Sequence, residues 1–358
     1  VSAPTIAAAL GRPHNGFSIV RLALAVAVVV SHAYSVTTGD AAAEPLARLT
    51  GFTLGEHAVN GFFAISGFLV TMSLERRGAR DYALARTLRI LPGLVAATLV
   101  VALILGPALS ALPVSAYLRE AELWRFIQGT LTTFKSNAAL PGLFGGNPYR
   151  APLGTVWTLK YEVLCYLGVL AAGLAGLLRW RWSALLLTGG LALALVAVEA
   201  AHPALPKGLE TGLRLPMIFA GGAALYLWRE RVRLWAWPLL GLALACALAQ
   251  GTILYRTLLF LGETYGALWL CLAPVLARPV LDPPADLSYG TYLYGWPIQQ
   301  SLHALWPGAS ATLLLGPALL LTALAATISW YAIEAPALRL KARALGRRTL
   351  NTIEPAGP

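Results

Sequence analysis

Two residues near the start of the chain are out of place in the sequence around them. Arg21 and His32 lie eleven positions apart inside the apolar run that follows Asn15. A charged or titratable side chain near a bilayer centre costs at least about 2.5 kcal/mol on insertion scales, so each needs a partner, a water-filled cavity or a function. Eleven helical steps of roughly 100° return to nearly the same face about 16 Å further along, so both side chains can line one inward-facing groove. A guanidinium can clasp phosphate, and an imidazole readily exchanges a proton near neutral pH. The pair would act as an anion clamp below and a base above. The plainer alternative is that Arg21 snorkels to the surface and His32 satisfies a backbone carbonyl.

Further along, Arg86 and Arg89 stand three residues apart, which on a helix means one face. Together they could grip a polyphosphate, or they could serve only to hold topology and touch anionic lipid. Ser66 belongs to the string Asn60-Gly61-Phe62-Phe63-Ala64-Ile65-Ser66-Gly67-Phe68-Leu69, whose small residues let a backbone or a ligand approach closely. Glu162 follows Trp157 by several residues, which sets a carboxylate within the outer leaflet. It could orient and charge-stabilise His32, bind an acceptor hydroxyl, or pair locally with Lys160. Arg214 follows Glu210 at i,i+4, and a self-contained ion pair accounts for it. Glu263 and Glu334 read as structural. His57, His202 and His303 fall in or near outer loops and helix ends, and His14 in a tail, with no special role expected.

The elements that must position these groups follow from composition. A chain of 358 residues with 58% hydrophobic and 12% charged residues and a mean hydropathy of +0.67 is too apolar for a water-soluble domain. Apolar runs near 17–36, 58–74, 90–110, 153–177, 183–200, 209–228, 234–250, 257–276, 287–306 and 310–333 predict an all-α, polytopic transmembrane bundle of about ten helices. The net charge of +11 would suggest nucleic acid in a soluble chain. Here Lys and Arg sit between apolar runs, so they read as orientation signals, and no nucleic-acid partner is expected. Their bias predicts both termini in the cytoplasm. Residues 1–15 and 339–358 would be cytoplasmic tails, and 111–152 a long extracytoplasmic connection carrying an amphipathic stretch at Tyr117 to Phe134. The whole of 1–358 reads as one membrane domain, its first run a retained helix rather than a cleaved signal. Cys165, Cys246 and Cys271 have neither disulfide nor zinc spacing, so no metal is expected.

The ordered fragments resemble the acyltransferase 3 family of integral membrane proteins. Arg21 and His32 have that family's spacing. Phe62 to Leu69 is similar to its second helix, and Arg86-Thr87-Leu88-Arg89 to its cytoplasmic two-arginine motif. Trp157 to Tyr166 resembles a Trp-Ser-Leu-x-x-Glu-x-x-Phe-Tyr stretch, and Arg214-Leu215-Pro216 with Gly221-Gly222-Ala223 an Arg-then-Gly pattern. Leu287 to Leu293 and Tyr331 to Pro336 follow in order. This chain has Gly295 where family members often carry His. The resemblance implies an O-acyltransferase of the bacterial inner membrane. Its donor would be acetyl-CoA or another acyl-CoA on the cytoplasmic side, and its acceptor a hydroxyl of a surface glycan, a glycolipid or a similar lipid-linked molecule. Many relatives carry a separate extracytoplasmic esterase-like domain. Its lack here would leave transfer to finish within the membrane core, in contact with lipid, or to use an extracytoplasmic partner protein. On this reading Arg86 and Arg89, with Arg21, bind the CoA phosphates, Ser66 lines the channel, His32 acts as base and Glu162 positions it. The rival expectations are a transporter or flippase for an envelope precursor, and a scaffold subunit whose polar residues serve packing.

Overall fold

A computed structural model describes residues 3–202 and 206–344, with side chains to Leu340. The tail expected at 339–358 therefore lies largely outside the described residues. Every regular element among the described residues is helical. Helices of twelve or more residues are α1 (Phe17–Thr38), α2 (Leu54–Arg77), α3 (Ala79–Val100), α4 (Ala121–Thr133), α5 (Trp157–Leu174), α6 (Trp182–Ala201), α7 (Lys207–Leu227), α8 (Trp237–Leu248), α9 (Tyr255–Cys271), α10 (Ser288–Leu305) and α11 (Ala311–Ser329). Each apolar run named above has a helix at its place. Five are long and apolar enough to cross a membrane by length and composition: α1, α2, α6, α3 extended to Leu109, and α11 extended to Leu340. Both extensions pass through a π-turn, at Val101–Leu105 and at Trp330–Glu334. Pi-turns of this kind are frequent at functional sites.

Local signals explain where the helices begin and end. Gly39 stops α1 with φ +74°, a backbone that suits a residue without Cβ. Helix α2 starts at Leu54, four residues before the apolar run, because Thr53 and Glu56 form a reciprocal capping box. The carboxylate of Glu44 accepts from the Leu54 N–H at 2.8 Å and from the Ser31 hydroxyl at 2.7 Å, tying the α1–α2 connection over the helix ends. Helix α3 starts at Ala79, so Arg86 and Arg89 stand on its early turns rather than in a loop.

Helix α2 is the buried axis, with 78% of its most apolar stretch covered by neighbours. Its contact with α7 is backbone on backbone. A Cβ at Gly67 would lie 1.9 Å from the Phe219 carbonyl oxygen, and one at Gly222 would lie 2.1 Å from that of Ala64. The small residues of the second helix thus serve close helix packing. At Gly295 on α10 a Cβ would meet the Val29 methyl of α1 at 2.6 Å, so any side chain there would require Val29 to shift. Gln299 closes the same seam by donating to the Val29 carbonyl at 2.7 Å.

One end of the bundle collects basic residues. The amino-terminal segment pairs with the chain after α7 through Ile6 N–H to Val232 O at 2.9 Å. Arg229 meets Glu75 at 3.3 Å, and the Trp228 indole donates to Arg181 O at 2.9 Å. Arg12 donates to Leu272 O at 3.0 Å. The opposite end carries the long connection, whose Ala151 O and Tyr149 O accept from Trp296 at 2.7 Å and Gln300 at 2.8 Å on α10.

Candidate active site

The close seam between α1 and α10 brings the Trp296 indole edge-on to His32, with ring centroids 4.9 Å apart at 89°. His32 lines a cavity of about 60 Å³, enough for a few reacting atoms, together with Trp157, Thr155, Tyr292, Glu56 and Arg214. The Tyr292 hydroxyl is held at 2.6 Å from both Thr158 Oγ1 and Thr155 O, which fixes that wall. Glu56 is occupied by its cap, accepting from the Thr53 N–H at 2.8 Å. Arg214 is 1% exposed and faces Glu210 at 3.1 Å.

Near the basic end, Arg21 donates to Asp286 Oδ2 at 3.0 Å, and Arg89 stands 2.9 Å from the same oxygen. Arg89 also faces Glu334 at 3.6 Å, while the Ser329 hydroxyl donates to Glu334 at 2.9 Å and that of Ser288 to Asp286 at 2.6 Å. Burial alone would raise the Asp286 carboxyl, but the two guanidiniums and the Ser288 bonds hold it well below the usual carboxylate range. Two cations and two carboxylates are matched there, in a setting where either charge alone would be costly.

Between these ends lie Glu162, Tyr166, Arg86 and Ser66. The Tyr166 hydroxyl donates to Glu162 one turn earlier, and Arg86 lies over the Tyr166 ring at 5.7 Å. Ser66 also bears on that hydroxyl. Buried Arg86 Nε has no hydrogen-bond partner among the described residues. Ser66, Glu162 and Arg86 are all partly exposed. Arg89 lies over the Tyr289 ring at 5.4 Å, and Glu162 bears on both Tyr289 and Tyr292, so a column of polar side chains stands between Asp286 and the cavity wall.

The expected site residues are therefore divided. Arg21 and Arg89 meet on one carboxylate. Arg86 turns away from that pair to the Tyr166 ring. Glu162 bonds Tyr166 rather than Lys160, which lies over the Tyr161 ring at 4.8 Å. Glu162 is not among the residues lining the His32 cavity, where the carboxylate is Glu56. His57 lies near a helix end, as expected, but it is partnered. It stands in α2, bonded through one ring nitrogen to Glu263 and through the other to Thr50 at 2.9 Å, while Asn60 donates to Glu263 at 2.6 Å. Sequence reasoning missed Asp286, Trp296 and Glu56. A lone acid just before the Ser288-Tyr289 helix start was the available signal for Asp286.

An all-helical bundle with several helices apolar and long enough to cross a membrane is the class the fold defines, and the comparisons name the family. The chain belongs to the acyltransferase 3 family, whose model, described as an acyltransferase domain, matches residues 14–334. It is 25% identical over 331 residues to the O-acetyl transferase of Shigella phage Sf6, covering 89% of this chain and 95% of that one. It is 29% identical over 372 aligned positions to Nodulation protein 10 of Rhizobium leguminosarum bv. viciae, covering 93% and 96%. No solved structure matches the chain significantly.

Proposed function

We propose that this membrane O-acyltransferase moves an acyl group from acyl-CoA, taken at the basic end, to a hydroxyl acceptor at the opposite end, with His32 as base. The name of the phage relative favours acetyl as the group and an oxygen as the accepting atom. The resemblance of the motifs favours a surface glycan or lipid-linked sugar as the acceptor. The basic residues gathered at one end favour a cytoplasmic face there, and so ten crossings with both termini inside a bacterial inner membrane.

The observation that carries this reading is that His32 lines a small cavity and lies on the same helix as Arg21, eleven positions on, with polar side chains standing between the two levels. The CoA phosphates would engage Arg86 and the outer edges of Arg21 and Arg89, with the thioester arm rising past Ser66. His32 then takes the acceptor O–H proton as the oxygen bonds to the thioester carbon. The C–S bond breaks, and the thiolate leaves with the proton returned by the imidazolium. Glu162 would tune this column through Tyr166 rather than touch His32.

The test is a membrane preparation given labelled acetyl-CoA and the extracted glycolipids of the host envelope. Covalent label on a hydroxyl with equimolar CoA release is expected. Acceptor movement across sealed vesicles without CoA release would make the protein a transporter instead.

A further inference from the structure

Arg214 was explained by its neighbour at i,i+4, and the structure shows that this explanation is incomplete. Its Nε faces Glu210 at 3.1 Å, and its Cζ stands 5.5 Å from the Phe52 ring centroid and 5.4 Å from that of Phe260. These contacts fix the guanidinium plane without using its donors. Nη1 is buried and has no hydrogen-bond partner among the described residues, a costly state for an N–H group. The same side chain lines the cavity that His32 lines.

We propose that Arg214 is a catalytic residue that donates to the oxyanion formed when the acceptor attacks the thioester. This rests on the acyl-transfer reading above. As the acceptor O–H proton passes to His32, the new C–O bond forms and the carbonyl π pair moves onto its oxygen. Imidazolium and oxyanion then face each other across one small cavity, and Arg214 on its wall has an N–H to spare for the second. When the oxyanion collapses, the C–S bond breaks and the thiolate leaves with the His32 proton. A fixed donor in a dry site strengthens only as that charge develops, which is what acceleration requires.

Replacing Arg214 alone would strand Glu210, so the decisive variant is Arg214→Met with Glu210→Leu, which removes both charges together. It is compared with Arg214→Lys and the parent protein, using acetyl-CoA as donor and either water or methyl glucoside as acceptor. Expected for the double variant is a fall in kcat of about 10²- to 10³-fold with both acceptors, the range seen when one oxyanion donor is removed. KM for methyl glucoside and the affinity for acetyl-CoA should stay within about threefold. Arg214→Lys, which keeps charge but not the fixed fork, should fall between. A kcat within tenfold of the parent overturns the proposal. So does a rise in KM alone, which would make Arg214 an acceptor-binding group. Loss of acetyl-CoA binding in both variants also overturns it, because Arg214 would then hold the bundle rather than the reaction. A parent protein that neither binds acetyl-CoA nor releases thiol removes the acyl-transfer reading itself.

Discussion

The two ends of the polar column differ in how far their charges are satisfied. Around Asp286, Arg21 and Arg89 are matched in charge by two carboxylates, and Ser288 and Ser329 supply further bonds, although Arg89 Nη2 and Glu334 Oε2 make ion pairs without a well-directed hydrogen bond. Around His32 the matching stops short: Arg214 keeps a buried donor without a partner among the described residues, and the imidazole opens on a cavity whose carboxylate, Glu56, is spent on its helix cap. Closed networks of paired charge hold helices in register, whereas unspent polar capacity at a cavity is what a reacting group can use. The comparison teaches that the guanidiniums first noticed in the sequence serve structure at least as much as donor binding, and that the chemistry belongs to the other end.

The largest expected effect is on turnover at the open end. His32→Ala should lower kcat by about 10²- to 10⁴-fold, the usual worth of a general base, with thermal unfolding in detergent little changed. If the variant instead unfolded early while its remaining fraction turned over normally, His32 would belong with the closed network and the contrast would collapse.

Next comes the closed end, where the expected effect is on stability. Arg89→Met leaves Asp286 and Glu334 short of a cation, and breaking a buried pair by removing one partner costs about 3–5 kcal/mol. The side chain of Arg89 is only 14% exposed, so solvent screening gives little relief. Adding Glu334→Leu should restore part of the loss, because it removes one stranded carboxylate. A single variant as stable as the parent would show that the network is not what joins α3, α10 and α11 at this end.

Much of this arrangement was legible in the sequence, and the failures have physical causes. Helix positions came from apolar runs, which report burial in lipid directly, but the starts of α2 and α3 lie earlier because a capping box and an arginine-bearing helical turn are polar. Arg21 and His32 announced themselves by their cost in an apolar run. Asp286 did not, because it lies between helices and meets Arg21 across 265 residues, a pairing that only the packed topology creates. Arg214 was hidden by a sufficient local explanation at i,i+4. Glu162 had its partner Tyr166 four residues on in plain view, yet a charged neighbour at Lys160 and a distant His32 looked chemically stronger.

A smaller effect is expected of Arg86, which shares neither carboxylate of the closed network. Arg86→Ala should weaken acetyl-CoA binding by about 10- to 100-fold, as for loss of a hydrogen bond to a charged group, and flatten its salt dependence. Titration of binding against ionic strength checks this. Unchanged affinity would return the phosphate contact to Arg21 and Arg89, which would then have to loosen Asp286 to make it.

The smallest effect concerns pH. Asp286 lies outside the helices, and its carboxyl is held below the ordinary range, so its charge contributes stability that is fully present above the unfolded value near 3.9. That contribution is lost only as pH falls through the lower folded value. Between pH 8 and pH 5 the stability gap between the parent and Asp286→Asn should therefore stay constant, and below about pH 4 it should narrow. Thermal unfolding of both proteins across that range checks the sign. A gap that closed already between pH 7 and pH 5 would mean that Asp286 is not ion-paired as described. If the gap is flat, any change in turnover between pH 5 and pH 8 originates away from this carboxylate, which leaves the histidine end as the place to look for it.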